Sequence, residues 1–373
     1  MLLSEIIIER IKKEGPLSFR DFMEMALYYP EMGYYNSAQN KIGTNGDFYT
    51  SPYLSADFGA MIGRQMEEMW QILGKNPFTI VEYGAGTGLL CHDILDYLKN
   101  NTSLYKNLTY SIIERSTSMQ AIEKKHLHEK VTWYNSTKEL PRINGCILSN
   151  ELVDNFSVHQ VIMQDQLMEV FVDYNSDFIE VLKPAPKELT NYFETLGIQL
   201  VKGFRTEINL EALSWIKEVA QNLHKGYMIT IDYGSESAEL YSPRRSCGTL
   251  LCYNKHHKND NPYQYIGEQD ITSHTNFSAL SHWGLQYGLE YCGMVNQANF
   301  LMGLGIKEYQ NSSLLKNKDN LQLAGHEALM NYRLLFDMGM KFKVLIQRKG
   351  IPEYPLSGLK FSNSNTINLY QNL

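Results

Sequence analysis

The chain is predicted to be an α/β protein: a doubly wound, mostly parallel, Rossmann-like sheet with an N-terminal helical segment and β-rich or loop-like insertions. Three observations predict it. From residue 78 onward, short apolar or β-branched runs alternate with amphipathic stretches, the pattern of a parallel sheet covered by helices. The first run, ending Ile80-Val81-Glu82-Tyr83, passes through Gly84-Ala85-Gly86-Thr87-Gly88 into a helical stretch, the strand–loop–helix order of a nucleotide-binding turn. Acidic residues, Glu114 and Glu151, stand at the carboxyl ends of later strands, the edge at which open α/β sheets bind ligands.

Taken in order, residues 1–30 read as helical, broken at Gly15-Pro16, with Ser18 as the N-cap of a helix over 19–28. Residues 31–52, rich in Gly, Asn, Tyr and Ser, read as a long ordered loop centred on Gly46 to Pro52. Apolar residues at 58, 61, 62, 66, 69 and 73 predict a helix over 55–73. The core follows: strand 78–83, helix 89–99, strand 108–114, helix 117–128, a short strand 131–134, and strand 145–149 with Asn150-Glu151 at its end. Residues 158–185 read as an inserted antiparallel meander, after which a helix over 210–224 leads back to a core strand at 227–232. A second insertion, 235–276, reads as polar, loop-like and aromatic. A helix at 277–287, a strand at 290–296, more helix between 307 and 336, and a last strand at 342–347 pairing antiparallel complete the core. The predicted organisation is an N-terminal helical and flap region over 1–75, a core over 76–349 with insertions at about 158–208 and 235–276, and an irregular tail over 350–373.

Bulk properties narrow the function. With 373 residues, 43% hydrophobic and 20% charged, the chain has the composition of an ordinary globular protein. A net charge of −7 argues against nucleic acid as a partner. Five cysteines, odd in number and without C-x-x-C spacing, point to a reducing, cytoplasmic setting. Ten histidines form no metal signature, so no metal is expected. No apolar run is long enough to cross a bilayer, so no membrane insertion is expected. Met1 to Lys13 lacks a signal-peptide apolar core, and Glu5 and Glu9 disfavour a transit peptide.

The glycine turn carries the most chemistry. A dinucleotide fingerprint is G-x-G-x-x-G; here the third glycine comes one residue early and Glu82 stands two before the first. S-adenosylmethionine has no pyrophosphate to cradle, and its sulfonium and amino groups are cationic, so an acid beside the turn favours it. Glu114, 26 residues beyond Gly88, can accept both ribose hydroxyls of an adenosine, whichever adenosine cofactor is bound. Glu151 and Asp154 follow the fourth core strand, and two carboxylates suit a planar guanidinium. The plainer alternative is that Glu151 caps a turn and Asp154 is solvated. Gly46 to Pro52, which holds Phe48, Thr50 and Ser51, has the length and polarity of a flap over the cofactor. The loop around Gly267 to His274 offers His274 as a substrate contact or general base.

Together, Tyr29-Pro30…Gly33-Tyr34-Tyr35, Gly46-Asp47-Phe48-Tyr49-Thr50-Ser51-Pro52, Glu82-x-Gly84-x-Gly86-x-Gly88, Ser149-Asn150-Glu151-Leu152-x-Asp154, Ile231-Asp232-Tyr233-Gly234, Gly248-Thr249-Leu250 and Gly267-Glu268-Gln269-Asp270-Ile271-Thr272-x-His274 resemble the MidA-like family of class I S-adenosylmethionine-dependent methyltransferases. The family includes a mitochondrial complex I assembly-factor arginine methyltransferase. The resemblance covers about residues 15 to 349 and implies S-adenosyl-L-methionine as cofactor. It also implies a protein substrate, a respiratory-complex subunit among the candidates, and methylation of an arginine guanidino nitrogen. Residues and resemblance together nominate Glu151, Asp154 and His274 for catalysis, and Phe48, Thr50, Ser51, Glu82, Gly84, Gly86, Gly88, Glu114 and Asn150 for the cofactor. The insertions could shape a homodimer interface or a substrate groove. Two other readings stay open: a non-catalytic assembly or chaperone protein that keeps the cofactor pocket, and an NAD-dependent oxidoreductase on a similar sheet.

Overall fold

The computed structural model describes residues 1–37, 41, 47, 50–127, 130–314 and 329–362. The chain divides into two compact units, one of Tyr49–Leu152, Ile216–Tyr233 and Ser281–Leu373, the other of Met1–Phe48, Val153–Trp215 and Gly234–Leu280.

The first unit is built on strands β1 (Phe78–Tyr83), β2 (Leu108–Ile113), β3 (Val131–Tyr134), β4 (Ile143–Asn150), β5 (Leu223–Ser235), β6 (Glu290–Asn296) and β7 (Phe342–Lys349). Among the described residues these lie in the order β6-β7-β5-β4-β1-β2-β3. Strands β1 to β5 pair in parallel with their neighbours, and β7 runs antiparallel between β5 and β6. The doubly wound, mostly parallel sheet with an antiparallel last strand is as predicted. Ile80, Ile112, Ile147, Leu148, Ile229 and Ile231 are fully buried; strands covered on both faces need such continuous apolar runs. Strand order reverses beside β1, which has β2 on one side and β4 on the other. The crevice outside the carboxyl ends of β1 and β4 is therefore the sheet's topological switch point.

Helices α1 (Ala56–Ile72), α2 (Leu89–Leu98) and α3 (Thr117–His126) pack around this sheet. Ser55 caps α1, its Oγ accepting from the Asp57 N–H at 3.3 Å. Helices α1 and α2 cross at close range. A Cβ placed on Gly59 would lie 2.4 Å from the Asp93 Cβ, and one on Gly63 would lie 2.9 Å from the Tyr97 ring.

In the second unit, Ser18 Oγ accepts from the Asp21 N–H at 3.1 Å and starts the helix Phe19–Tyr28 where the sequence predicts it. The expected meander is present as His159–Met163, Leu167–Tyr174 and Phe178–Pro184. It is widened by Leu17–Ser18 and Arg205–Ile208, whose partners are distant in sequence. A helix at Lys187–Thr195, buried through Leu189, Tyr192 and Phe193, also lies in this insertion and was not anticipated.

One expectation needs correcting. The loop-like reading of 235–276 misses a three-stranded antiparallel sheet of Leu251–Asn254, His257–Asn259 and Asp270–Thr272. Strands this short show no alternation. Their hairpin turns through Lys255 and His256, both with positive φ (49° and 63°), where Asn-Gly would have been the readable signal.

Candidate active site

The glycine turn leaves β1 at the switch point and ends as the N-cap of α2. Gly84, Gly86 and Gly88 have φ of 66°, 59° and 80°, the left-handed region that residues with a Cβ avoid. Two bonds fix the path: Gly84 N–H donates to the Ile113 carbonyl at 3.0 Å and Gly88 N–H to the Ala85 carbonyl at 2.9 Å. A Cβ on Gly84 would meet Leu152 Cδ1 at 2.9 Å, so packing as well as conformation requires glycine there.

Glu82, at the end of β1, is 2% exposed and accepts a hydrogen bond from Tyr110 Oη on β2 at 2.8 Å. Burial pushes its carboxyl up to about 7 against that bond. Tyr110 escaped the sequence reading because only the β1–β2 register, Ile80 opposite Tyr110, brings it near. Glu114 follows the tip of β2. It is half-buried, and its Oε1 accepts from the Ser116 N–H at 2.7 Å. Burial raises its pKa, opposed by the Ser116 and Arg115 N–H groups.

At the end of β4 the structure brings three nominated residues together. Glu151 Oε1 accepts from the Ser51 N–H and from Asn150 Nδ2, each at 3.2 Å. Ser51 is itself buried, its Oγ donating to Gln297 Oε1 at 3.2 Å. Thr50 precedes it as the N-cap of the short helix Ser51–Leu54. Phe48 lies outside the described residues. Glu151 has φ of 51°, rare for a residue with a side chain, and its N–H is tied to the Ile231 carbonyl at 2.9 Å. Burial pushes its carboxyl up to about 8, with nearby Asp232 adding to the shift and Ser51 and Asn150 opposing it.

These residues fit an adenosyl cofactor. The Asn150 Oδ1 is buried and has no hydrogen-bond partner, an acceptor left over for a ligand N–H or O–H. A carboxylate has about four acceptor positions, so Glu114 can hold its backbone donors and still receive a ribose.

Asp154 and His274 belong to the other unit. Asp154 is 3% exposed, which removes the solvated reading; its Oδ1 accepts from Asn155 Nδ2 at 3.0 Å and its carbonyl from the Ser273 N–H at 2.9 Å. His274 is half-buried, with Nδ1 3.4 Å from Arg245 Nη1. Burial first, then the Arg245 charge, pull its pKa down to about 4, against the opposing pull of Glu239. The imidazole is therefore neutral at physiological pH.

Residues 61–295 match a family of S-adenosyl-L-methionine-dependent methyltransferases. The chain is similar to the mitochondrial protein arginine methyltransferase NDUFAF7 of Bos taurus, 28% identical over 375 residues that span 91% of this chain and 81% of the relative. It is 26% identical to the Homo sapiens protein of the same name over 368 residues, 90% of this chain and 81% of the relative. Among solved structures it resembles a COG1565 superfamily member from Burkholderia thailandensis bound to S-adenosyl-homocysteine. That likeness has a TM-score of 0.87 and 28% identity, covering 98% of this chain and 96% of the other. A match over so much of the chain, on a fold that sets this glycine turn at the sheet's switch point, places the protein in the MidA-like family of S-adenosyl-L-methionine-dependent methyltransferases.

Proposed function

We propose that this methyltransferase acts on an arginine guanidino nitrogen of another polypeptide, with Glu151 orienting the guanidinium and taking its proton. The observation that carries the proposal is the setting of the Glu151 carboxyl: one oxygen held by Ser51 and Asn150, the backbone in a left-handed conformation, and the pKa pushed up to about 8. A guanidinium keeps its proton until above pH ~12 and its nitrogens are poor nucleophiles until it leaves. A carboxyl titrating near 8 is a far better proton acceptor than one at its ordinary 4.5.

S-adenosyl-L-methionine supplies a methyl group on an electron-poor sulfur. The chain's part is alignment: Glu151 holds the acceptor nitrogen, and rigid placement of two reactants is itself worth several orders of magnitude in rate. In this reading Glu114 would hold the ribose, and the turn of Gly84, Gly86 and Gly88 would leave room for the methionine part. Glu82 and Asn150 would serve its polar groups, and Thr50 and Ser51 belong to the flap of Gly46 to Pro52. The relatives' activity as protein arginine methyltransferases supports the acceptor, and the family resemblance keeps a respiratory-complex subunit among the candidates. Five thiols without a disulfide support a reducing, cytoplasmic setting.

The test is incubation of the protein with isotope-labelled S-adenosylmethionine in a lysate, followed by mass spectrometry of the labelled residue. Label on arginine is expected. Label on lysine, on a terminus or on a small molecule overturns the proposed acceptor.

A further inference from the structure

The helix Gln297–Gly303 follows β6 and starts at a fixed point, where Asn296 Oδ1 accepts from the Asn299 N–H at 2.7 Å. Strand β7 runs antiparallel to both β5 and β6, so β6 points the same way as the parallel strands. Its end therefore lies at the sheet edge that carries Glu151, and Gln297 is the first residue beyond it. The buried residues of the helix are Gln297, Phe300 and Leu301. A buried amide costs stability unless its hydrogen bonds are made, and methionine would fill the space without that demand.

Gln297 spans two elements. Its Nε2 donates to the Leu334 carbonyl at 3.4 Å, and its Oε1 accepts from the Ser51 hydroxyl at 3.2 Å. The Leu334 carbonyl can only accept, so the amide N–H₂ must face it and the amide oxygen is left for Ser51. Leu334 lies in a π-helical turn, Arg333–Met338, a rare wide coil that recurs at functional sites. A Cβ on Gly339, just past this turn, would lie 2.7 Å from the same carbonyl, so glycine keeps that oxygen uncrowded. Ser51 Oγ also lies 4.0 Å from Met338 Sδ, but its one hydrogen goes to the nearer and stronger acceptor, Gln297 Oε1.

The backbone of Ser51 has a separate task. Its N–H opens a short helix, where it has no intrahelical partner, and donates to Glu151 Oε1 at 3.2 Å. Asn150 Nδ2 donates to the same oxygen, and the Asp232 charge opposes both. Ser51 is thus held at its side chain by Gln297 and holds Glu151 through its backbone. Ser51 and Gln297 are both closed to water, so solvent does not replace a lost partner.

We propose that Gln297 is a positioning residue for the methyl-transfer site: it anchors the Ser51 hydroxyl to the π-helical turn, so that the Ser51 N–H stays on the Glu151 carboxylate. That this serves proton removal from an acceptor rests on the role given to Glu151 above; the anchoring does not.

Carbon-13 NMR titration of the full chain, labelled at its glutamate carboxyls, tests it and needs no acceptor substrate. The Glu151 signal is the one missing from Glu151→Gln, and in the parent its midpoint should lie near 8. Gln297→Met keeps the volume and loses both hydrogen bonds. A carboxylate that loses a donor holds its proton more firmly, so the midpoint should rise by about one pH unit. Ser51→Ala removes the anchored hydroxyl, retains the N–H, and should raise the midpoint as well. The double variant should rise no further than Gln297→Met, because both changes cut one relay. A Gln297→Met variant with parental circular dichroism and a parental Glu151 midpoint overturns the proposal, even where its melting temperature drops; so does a double variant in which the two rises add. If Gln297→Met does not fold, Ser51→Ala decides alone, and an unmoved midpoint there overturns the relay. Label away from arginine in the lysate, together with raised midpoints, removes the acceptor and leaves the relay standing. Label on arginine with unmoved midpoints does the reverse.

Discussion

A left-handed backbone at a residue with a side chain costs on the order of 1–3 kcal/mol, and glycine at 151 would remove that cost. The chain instead keeps an acid, held through its N–H by Ile231 and through its carboxylate by Ser51 and Asn150. That arrangement is intelligible if the carboxyl itself is needed. Glu151→Gln keeps the shape and removes the proton acceptor. S-adenosylhomocysteine affinity by calorimetry should stay within about twofold of the parent, while kcat falls by ~100-fold or more; a variant with parental kcat ends the assigned role. In the parent enzyme kcat/KM should rise with pH through about 8 as Glu151 loses its proton, and that limb should be missing from the Gln variant. Gly86 makes a separate case. With φ of 59°, a β-branched residue there must distort the turn. Gly86→Val should give no binding heat with S-adenosylhomocysteine; parental affinity would mean that the turn does not shape the cofactor site.

At the scale of elements, the crossing of α1 and α2 separates two glycines four residues apart. Alanine favours a helix over glycine by about 1 kcal/mol. At Gly59 the added methyl would sit 2.4 Å from the Asp93 Cβ and 3.3 Å from the Asp93 backbone, so a helix must move. Overpacking of that kind costs about 1–3 kcal/mol, and against the helix gain Gly59→Ala should be destabilising by up to about 2 kcal/mol net in urea unfolding. At Gly63 the clash is with the Tyr97 ring at 2.9 Å, which can turn aside, and the nearest backbone atom is 3.4 Å away. Gly63→Ala should fall within about 1 kcal/mol of the parent. If Gly59→Ala proves the milder of the two, the close approach at Asp93 is not what holds these helices. The core elements were readable because each signals locally: apolar runs long enough for a buried strand, Ser18 and Ser55 placed to cap, glycines leaving β1. The hairpin at Lys255-His256 and the strand Arg205–Ile208 were not, since one uses an atypical turn and the other pairs with residues more than forty positions away. The site divides in the same way. Glu82 and Glu114 announce themselves beside the turn, whereas Tyr110 and Gln297 matter only once the register and packing are known.

Across the whole molecule, burial raises the pKa of several carboxyls, and this sets how stability responds to pH. Glu82 titrates near 7, Glu123 near 8, Glu151 near 8 and Asp270 near 7, burial being the main cause in each. Their ordinary values are 4.5 for Glu and 3.8 for Asp. Between the ordinary and the raised value the folded chain holds protons that the unfolded chain has released, so stability falls as pH rises through that window. His274 acts in the opposite sense: its pKa drops from 6.5 to about 4, so its contribution is lost as pH falls between those values. One imidazole below pH 6.5 is outnumbered by four carboxyls, and above pH 6.5 it no longer contributes to the slope. The melting temperature should therefore decline by several degrees between pH 6.5 and 9, each carboxyl removing up to about 1.4 kcal/mol per pH unit within its window. Glu123 identifies the cause. It is fully buried and accepts from Trp133 Nε1 at 2.7 Å, while its Oε1 has no partner. Glu123→Gln preserves an acceptor for the indole and cannot ionise, so its melting temperature should be lower at pH 6 because a buried amide N–H₂ goes unpaired. It should then decline less steeply toward pH 9. A parent protein whose melting temperature holds or rises over that range would show that these carboxyls are already ionised in the fold, and with them the proton acceptor assigned to Glu151 would lose its basis.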